Sequence, residues 1–220
     1  MRGPMVQALW AMVMGAALLA PITALAAPPD LDLPELAAGE TDGEVSAFRS
    51  HDAWIVRPEI DFALSDALWL EVQADVGGMP GAKTKLSNVS AQLMLALSRD
   101  GQTGIGGEVG YDPDESQTGA GVFLFAARQV GPWALGLNAG VEREGGATSA
   151  VYAWHVEHDL AAKWLAGVEG GGQIAFHGGE AEHLIGPTVG ARLGALELRF
   201  SWLFGSGAED LARIGLERKF

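Results

Sequence analysis

The chain has 220 residues, a formal net charge of −14, 48% hydrophobic residues, 31 glycines and no cysteine. The lack of a basic stripe to neutralise phosphates argues against nucleic acid as a partner, and without cysteines the chain has no disulfide framework. Nor does any segment beyond residue 30 supply the ~20 uninterrupted apolar residues of a transmembrane helix, so the apolar content must enter a core or a barrel wall.

In chain order, Arg2 gives a positive start, Ala8 to Ala20 an apolar run, and Ala24-Leu25-Ala26 a small-x-small cleavage site before Pro28-Pro29. This predicts a secretory signal peptide over 1–26, with an uncleaved anchor as the alternative. Residues 27–43 (APPDLDLPELAAGETDG) show no sustained period and read as a flexible periplasmic leader. From 44 to 220 the chain repeats one design: an alternating segment, a turn, another alternating segment.

Segment 56–64 sets Val56, Ile60, Phe62 and Leu64 against Arg57, Glu59 and Asp61. Segment 67–77 sets Leu68, Leu70, Val72, Ala74 and Val76 against Trp69, Glu71, Gln73 and Asp75. The same contrast returns in 85–98, 133–142 and 196–204, and only a period of two explains it. Tight connections (Ser65-Asp66, Arg99 to Gly101, Gln129 to Pro132, His158 to Ala161, Gly194-Ala195) trade places with longer polar ones (GGMPGAKTK, YDPDESQTG, REGGATS, FHGGEAEH, GSGAED). That rhythm predicts an all-β, antiparallel up-and-down barrel with short turns at one end and longer loops at the other. Taking Glu44 to Asp52 as an opening strand gives about 12 strands, with ten as the alternative.

A soluble barrel with its apolar face inward, as in lipocalins, would alternate equally well. Three features favour a membrane. Aromatic residues sit near strand ends on the apolar face: Phe62, Trp133 and Trp164 towards one rim, Tyr111, Phe176, Trp202 and Phe204 towards the other. The middle of that face carries no charge. The opposite face is rich in glycine and in charges of both signs.

The chain ends ARIGLERKF, with Ala212, Ile214, Leu216 and Phe220 on one side of a two-residue repeat. This ending resembles the C-terminal assembly signal of bacterial outer-membrane β-barrels. Arg213, Gly215 and Phe220 match its polar, glycine and terminal-aromatic positions, while Arg218 departs from its usual hydrophobic one. The resemblance implies a Gram-negative outer membrane, contact with its lipids and lipopolysaccharide, and insertion by the barrel-assembly machinery. The hairpin DFALSDALWLEV is similar to those of transporter-like barrels grouped with the phenol-degradation-pathway family.

If the polar face lines a lumen, it carries Arg57, Glu59, Asp61, Glu71, Asp75, Glu108, Glu142, His155, Glu157, Lys163, Glu169, Arg192, Glu197 and Arg199. Acids outnumber bases there, which predicts a passage for small solutes that favours cations. Equally, the charges could pair across strands and fill the barrel, leaving a structural or surface-interaction role. A lipid or peptide hydrolase is the third class, and it needs a nucleophile, a base and an orienting group together. His155 and Glu157 share a strand face, but Ser149 lies too far along it, so no catalytic residue is assigned. No cofactor or metal is expected either. His177, Glu180, Glu182 and His183 of HGGEAEH offer metal-ligand types, and Asp112, Asp114 and Glu115 offer carboxylates, yet neither has the spacing of a known scaffold. GMPGAKTK fails as a P-loop because Ala82 separates Gly81 from Lys83. GIGGEVG lies inside a strand, where its glycines thin the wall.

Overall fold

The computed structural model describes residues 37–220, apart from 80, 82, 99–101, 114–115, 178–180 and the side chain of Lys219. The predicted signal peptide and most of the leader lie outside the described residues. Twelve strands follow one another: β1 (Thr41–Arg49), β2 (Trp54–Ser65), β3 (Leu68–Gly78), β4 (Lys85–Ala96), β5 (Thr103–Asp112), β6 (Gln117–Val130), β7 (Trp133–Glu144), β8 (Ala147–Ala161), β9 (Trp164–Ala175), β10 (Ala181–Leu193), β11 (Leu196–Ser206) and β12 (Leu211–Lys219).

Each strand pairs antiparallel with its chain neighbours, and β1 closes on β12 from Asp42 opposite Lys219 to Arg49 opposite Ala212. Closure removes the sheet edges that would otherwise present unpaired backbone. The opening strand therefore starts at Thr41, three residues before the expected Glu44, and the alternative of ten strands is set aside. Pro58 and Pro187 point outward, where each misses a bond to one neighbour without shifting the register.

Alternation decides which side chains face where. Leu124, Val189, Ile214, Phe200 and Leu198 are exposed on the outer surface, while Glu71, Asp75, Glu59 and Glu157 are buried inside. Phe62, Trp133, Trp164 and Phe220 are exposed outside near the end where β1 begins and β12 finishes, the termini end of the barrel, and Tyr111, Phe176, Trp202 and Phe204 near the opposite end. Apolar outside and charged inside is the reverse of a soluble barrel. No helix among the described residues is long and apolar enough to cross a membrane, and strands are the elements that would do so.

At the termini end the connections are 66–67, 97–102, 131–132, 162–163 and 194–195; at the other they are 50–53, 79–84, 113–116, 145–146, 176–180 and 207–210. The stretch REGGATS is mostly strand. Its turn is only Gly145-Gly146, at φ 57° and 83°, the left-handed pair that a two-residue hairpin matching strand twist requires.

Candidate functional site

The barrel interior concentrates the polar chemistry, and cross-strand register determines who meets whom. On β2 and β3, Arg57 Nε donates to Asp75 Oδ1 at 2.7 Å and Nη2 to Asp75 Oδ2 at 3.1 Å. Both side chains are about 5% exposed (5% and 4%), so this fork-to-fork pair is withdrawn from water. Next along the same strands lie Glu59, Asp61 and Glu71, whose carboxylate oxygens fall within 4.8 Å of one another. Gln92 Nε2 donates to Glu71 Oε2 at 2.7 Å.

Across the ring, β8, β10 and β11 carry a chain of alternating charge. Arg192 bonds Asp159 at 2.7 Å and Glu197 at 2.9 Å, and Arg199 bonds Glu197 at 2.6 Å and Glu157 at 2.7 Å. At the β1–β12 seam Arg213 reaches Glu44 at 3.2 Å, and Ser46 donates to the same carboxylate. Phe48 lies between the guanidiniums of Arg57 and Arg213, at 5.2 and 5.6 Å from its ring centre, within cation–π range.

A third zone has a different character. Asn88, Glu108, Asp112, Glu142 and Glu144 line a cavity of roughly 40 Å³ on β4 to β7, floored by Gly110, Gly119 and Gly121, with no arginine or lysine lining it among the described residues. The absence of side chains along that floor leaves the space.

The sequence-predicted residues fall out as follows. Arg57, Glu59, Asp61, Glu71, Asp75, Glu108, Glu142, Glu157, Arg192, Glu197 and Arg199 occupy the inner face in the contacts just given. His155 and Glu169 are inner-face cross-strand neighbours on β8 and β9. Lys163 does not join them: it is exposed in the β8–β9 turn, where its carbonyl accepts the Arg192 N–H at 2.9 Å. The strand ends at Ala161, so the alternation that would turn Lys163 inward stops before reaching it. Arg213 and Gly215 lie on the inner face of β12, and Phe220 is exposed beyond it, with the Arg218 guanidinium 4.8 Å above its ring.

The His155–Glu157 pair has no hydrolytic geometry, because Glu157 is engaged by Arg199 and Ser149 accepts from Gln173 at 3.0 Å. In HGGEAEH, Glu182 and His183 are successive residues of β10 and face opposite ways; His183 Nδ1 lies 2.6 Å from the Tyr152 hydroxyl on the outer surface. They cannot share one metal. Glu180, Asp114 and Glu115 lie outside the described residues, and Asp112 is buried at the end of β5. One group unforeseen in the sequence is His51, Asp52 and Glu209, exposed in two adjoining loops with ligand atoms within 4.8 Å.

Sequence reading also missed an apolar cluster inside the barrel: Ala63, Trp69, Met94 and Phe125, with Ala96 and Phe123 packed against it. The rings of Phe125 and Phe123 lie where side chains at Gly104 and Gly106 would stand.

Comparison with solved structures gives the fold its context. The NanC porin superposes with a TM-score of 0.64 at 10% identity, over 82% of this chain and 100% of that one. A KdgM porin, solved in complex with disordered oligogalacturonate, gives 0.64 at 8% identity over 81% and 99%. The translocator domain of the autotransporter NalP from Neisseria meningitidis gives 0.55 at 10% identity over 86% and 91%. The chain has the fold of these barrels. No protein-family model matches it, and no curated protein does, so the hairpin likeness to phenol-degradation-pathway barrels stays a resemblance in sequence.

Proposed function

We propose that this chain is a porin-like barrel of a Gram-negative outer membrane, through which small solutes pass without catalysis. The observation that carries this reading is the inverted polarity of a closed barrel, with aliphatic side chains outward and polar, ionisable ones inward. The likeness to two porins supports it. On this reading the apolar surface faces lipid and lipopolysaccharide, the chain arrives through a cleaved signal peptide and the barrel-assembly machinery, and the termini end is periplasmic. No cofactor is involved.

Cation preference is the finer part of the proposal. The arginines of β10 and β11 are matched by Asp159, Glu157 and Glu197, whereas the cavity beside Glu108 and Glu142 has no basic lining residue among the described ones. Acidic side chains outnumber basic ones over the inner face as a whole, which would raise the local concentration of cations there.

A second reading, a barrel filled by its own side chains and acting through its loops, is favoured by the apolar cluster within the lumen. Uptake separates the two. Vesicles containing the refolded chain should swell in iso-osmotic arabinose faster than empty vesicles; equal rates would support the filled barrel.

A further inference from the structure

The apolar cluster is out of place in a polar lumen. Trp69, Met94 and Phe125 are 4, 3 and 2% exposed, so no face of the cluster lies open to water. Its members come from β2, β3, β4 and β6 near the termini end, and Gly104 and Gly106 of β5 leave the space that the Phe125 and Phe123 rings occupy. In ring order β4 stands opposite β10 and β5 opposite β11. The facing wall thus carries Arg192, 41% exposed in its side chain, and Arg199, 32% exposed. At this end the exposed polar side chains stand on the wall that faces the apolar plate. Leu165, buried on β9 one residue inside the same rim, adds apolar bulk opposite β3.

Resting on the passage reading above, we propose that Trp69, Met94 and Phe125 form a selectivity-determining constriction that favours solutes presenting an apolar face. Widening the path means parting these side chains and exposing apolar surface, which is unfavourable in water. A solute with an aromatic or alkyl face replaces the lost contacts. A sugar or hydrated ion does not, and it must also shed water against an apolar wall.

The experiment compares vesicle swelling in glucose and in phenyl glucoside for the native chain, Trp69→Ala and Trp69→Phe, each first shown to be folded by heat-modifiable migration in cold detergent electrophoresis. The native chain should admit phenyl glucoside faster than glucose although it is the larger molecule. Trp69→Ala should speed both severalfold and restore the order of size; Trp69→Phe, which keeps a ring, should retain the native order. Should Trp69→Ala fail to fold, Met94→Ala serves the same comparison. Glucose entering the native chain faster, or an alanine variant leaving the ratio unchanged, would overturn the constriction while leaving passage intact. Entry of neither solute into any variant would overturn passage itself, and the constriction with it.

Discussion

Replacing Leu124 by arginine puts the barrel's orientation to the test. Leu124 is 60% exposed on the outer face of β6, beside Ile105 and Ala139. It lies about six residues from the nearer end of its strand; at ~3.3 Å per residue and a tilt of ~40° that is about 15 Å from the rim, the middle of a ~30 Å hydrocarbon layer. Leu198, also outward, is only two residues into β11, about 5 Å from its rim by the same measure. An arginine facing lipid costs about 2–4 kcal/mol at the midplane and about 0–1 near the interface. Leu124→Arg should then weaken folding into lipid by about 30- to 700-fold, and Leu198→Arg by at most a few-fold. Reversible denaturant unfolding in lipid vesicles measures both. Equal, negligible effects would refute the claim that this surface meets lipid.

The interior makes three further predictions. Asp75→Ala leaves the buried Arg57 without its forked partner and should cost about 3–5 kcal/mol in the same unfolding assay, while the double change Arg57→Met, Asp75→Leu should recover much of it; equal losses would show that the pair is not acting as a unit. Glu197→Arg would set a third guanidinium between Arg192 and Arg199 and should reduce the heat-modifiable fraction well below that of Glu197→Gln; indistinguishable fractions would count against the charge chain. Glu108→Gln combined with Glu142→Gln should move the reversal potential in a salt gradient towards zero selectivity, and no movement would place the preference elsewhere.

Much of the fold was legible because a half-buried strand writes its two environments in alternate letters. Segments such as 67–77 and 196–204 separate apolar from polar residues cleanly, and both are strands with those faces. The interior was legible as a set of charges but not as a set of contacts. Arg199 meets Glu157 across 42 positions of chain, and only the order and register of β8 to β11 bring them together. Glu197, by contrast, meets Arg199 two positions on along the same face and Arg192 across the tight 194–195 turn, contacts that alternation and the hairpin already imply. The inner cluster escaped notice for a local reason. In GVFLFAAR both faces of β6 are apolar, so Phe123 and Phe125 produce no contrast with Val122 and Leu124. Lys163 was misplaced because periodicity does not say where a strand stops.

The most direct measurement of the proposed passage is single-channel conductance of the refolded chain in a planar bilayer under a salt gradient. Stepwise current with a reversal potential on the cation side is the predicted result. A chain that migrates as a folded, heat-modifiable barrel yet carries neither current nor solute would contradict the account, and would assign the barrel to the filled, non-conducting class.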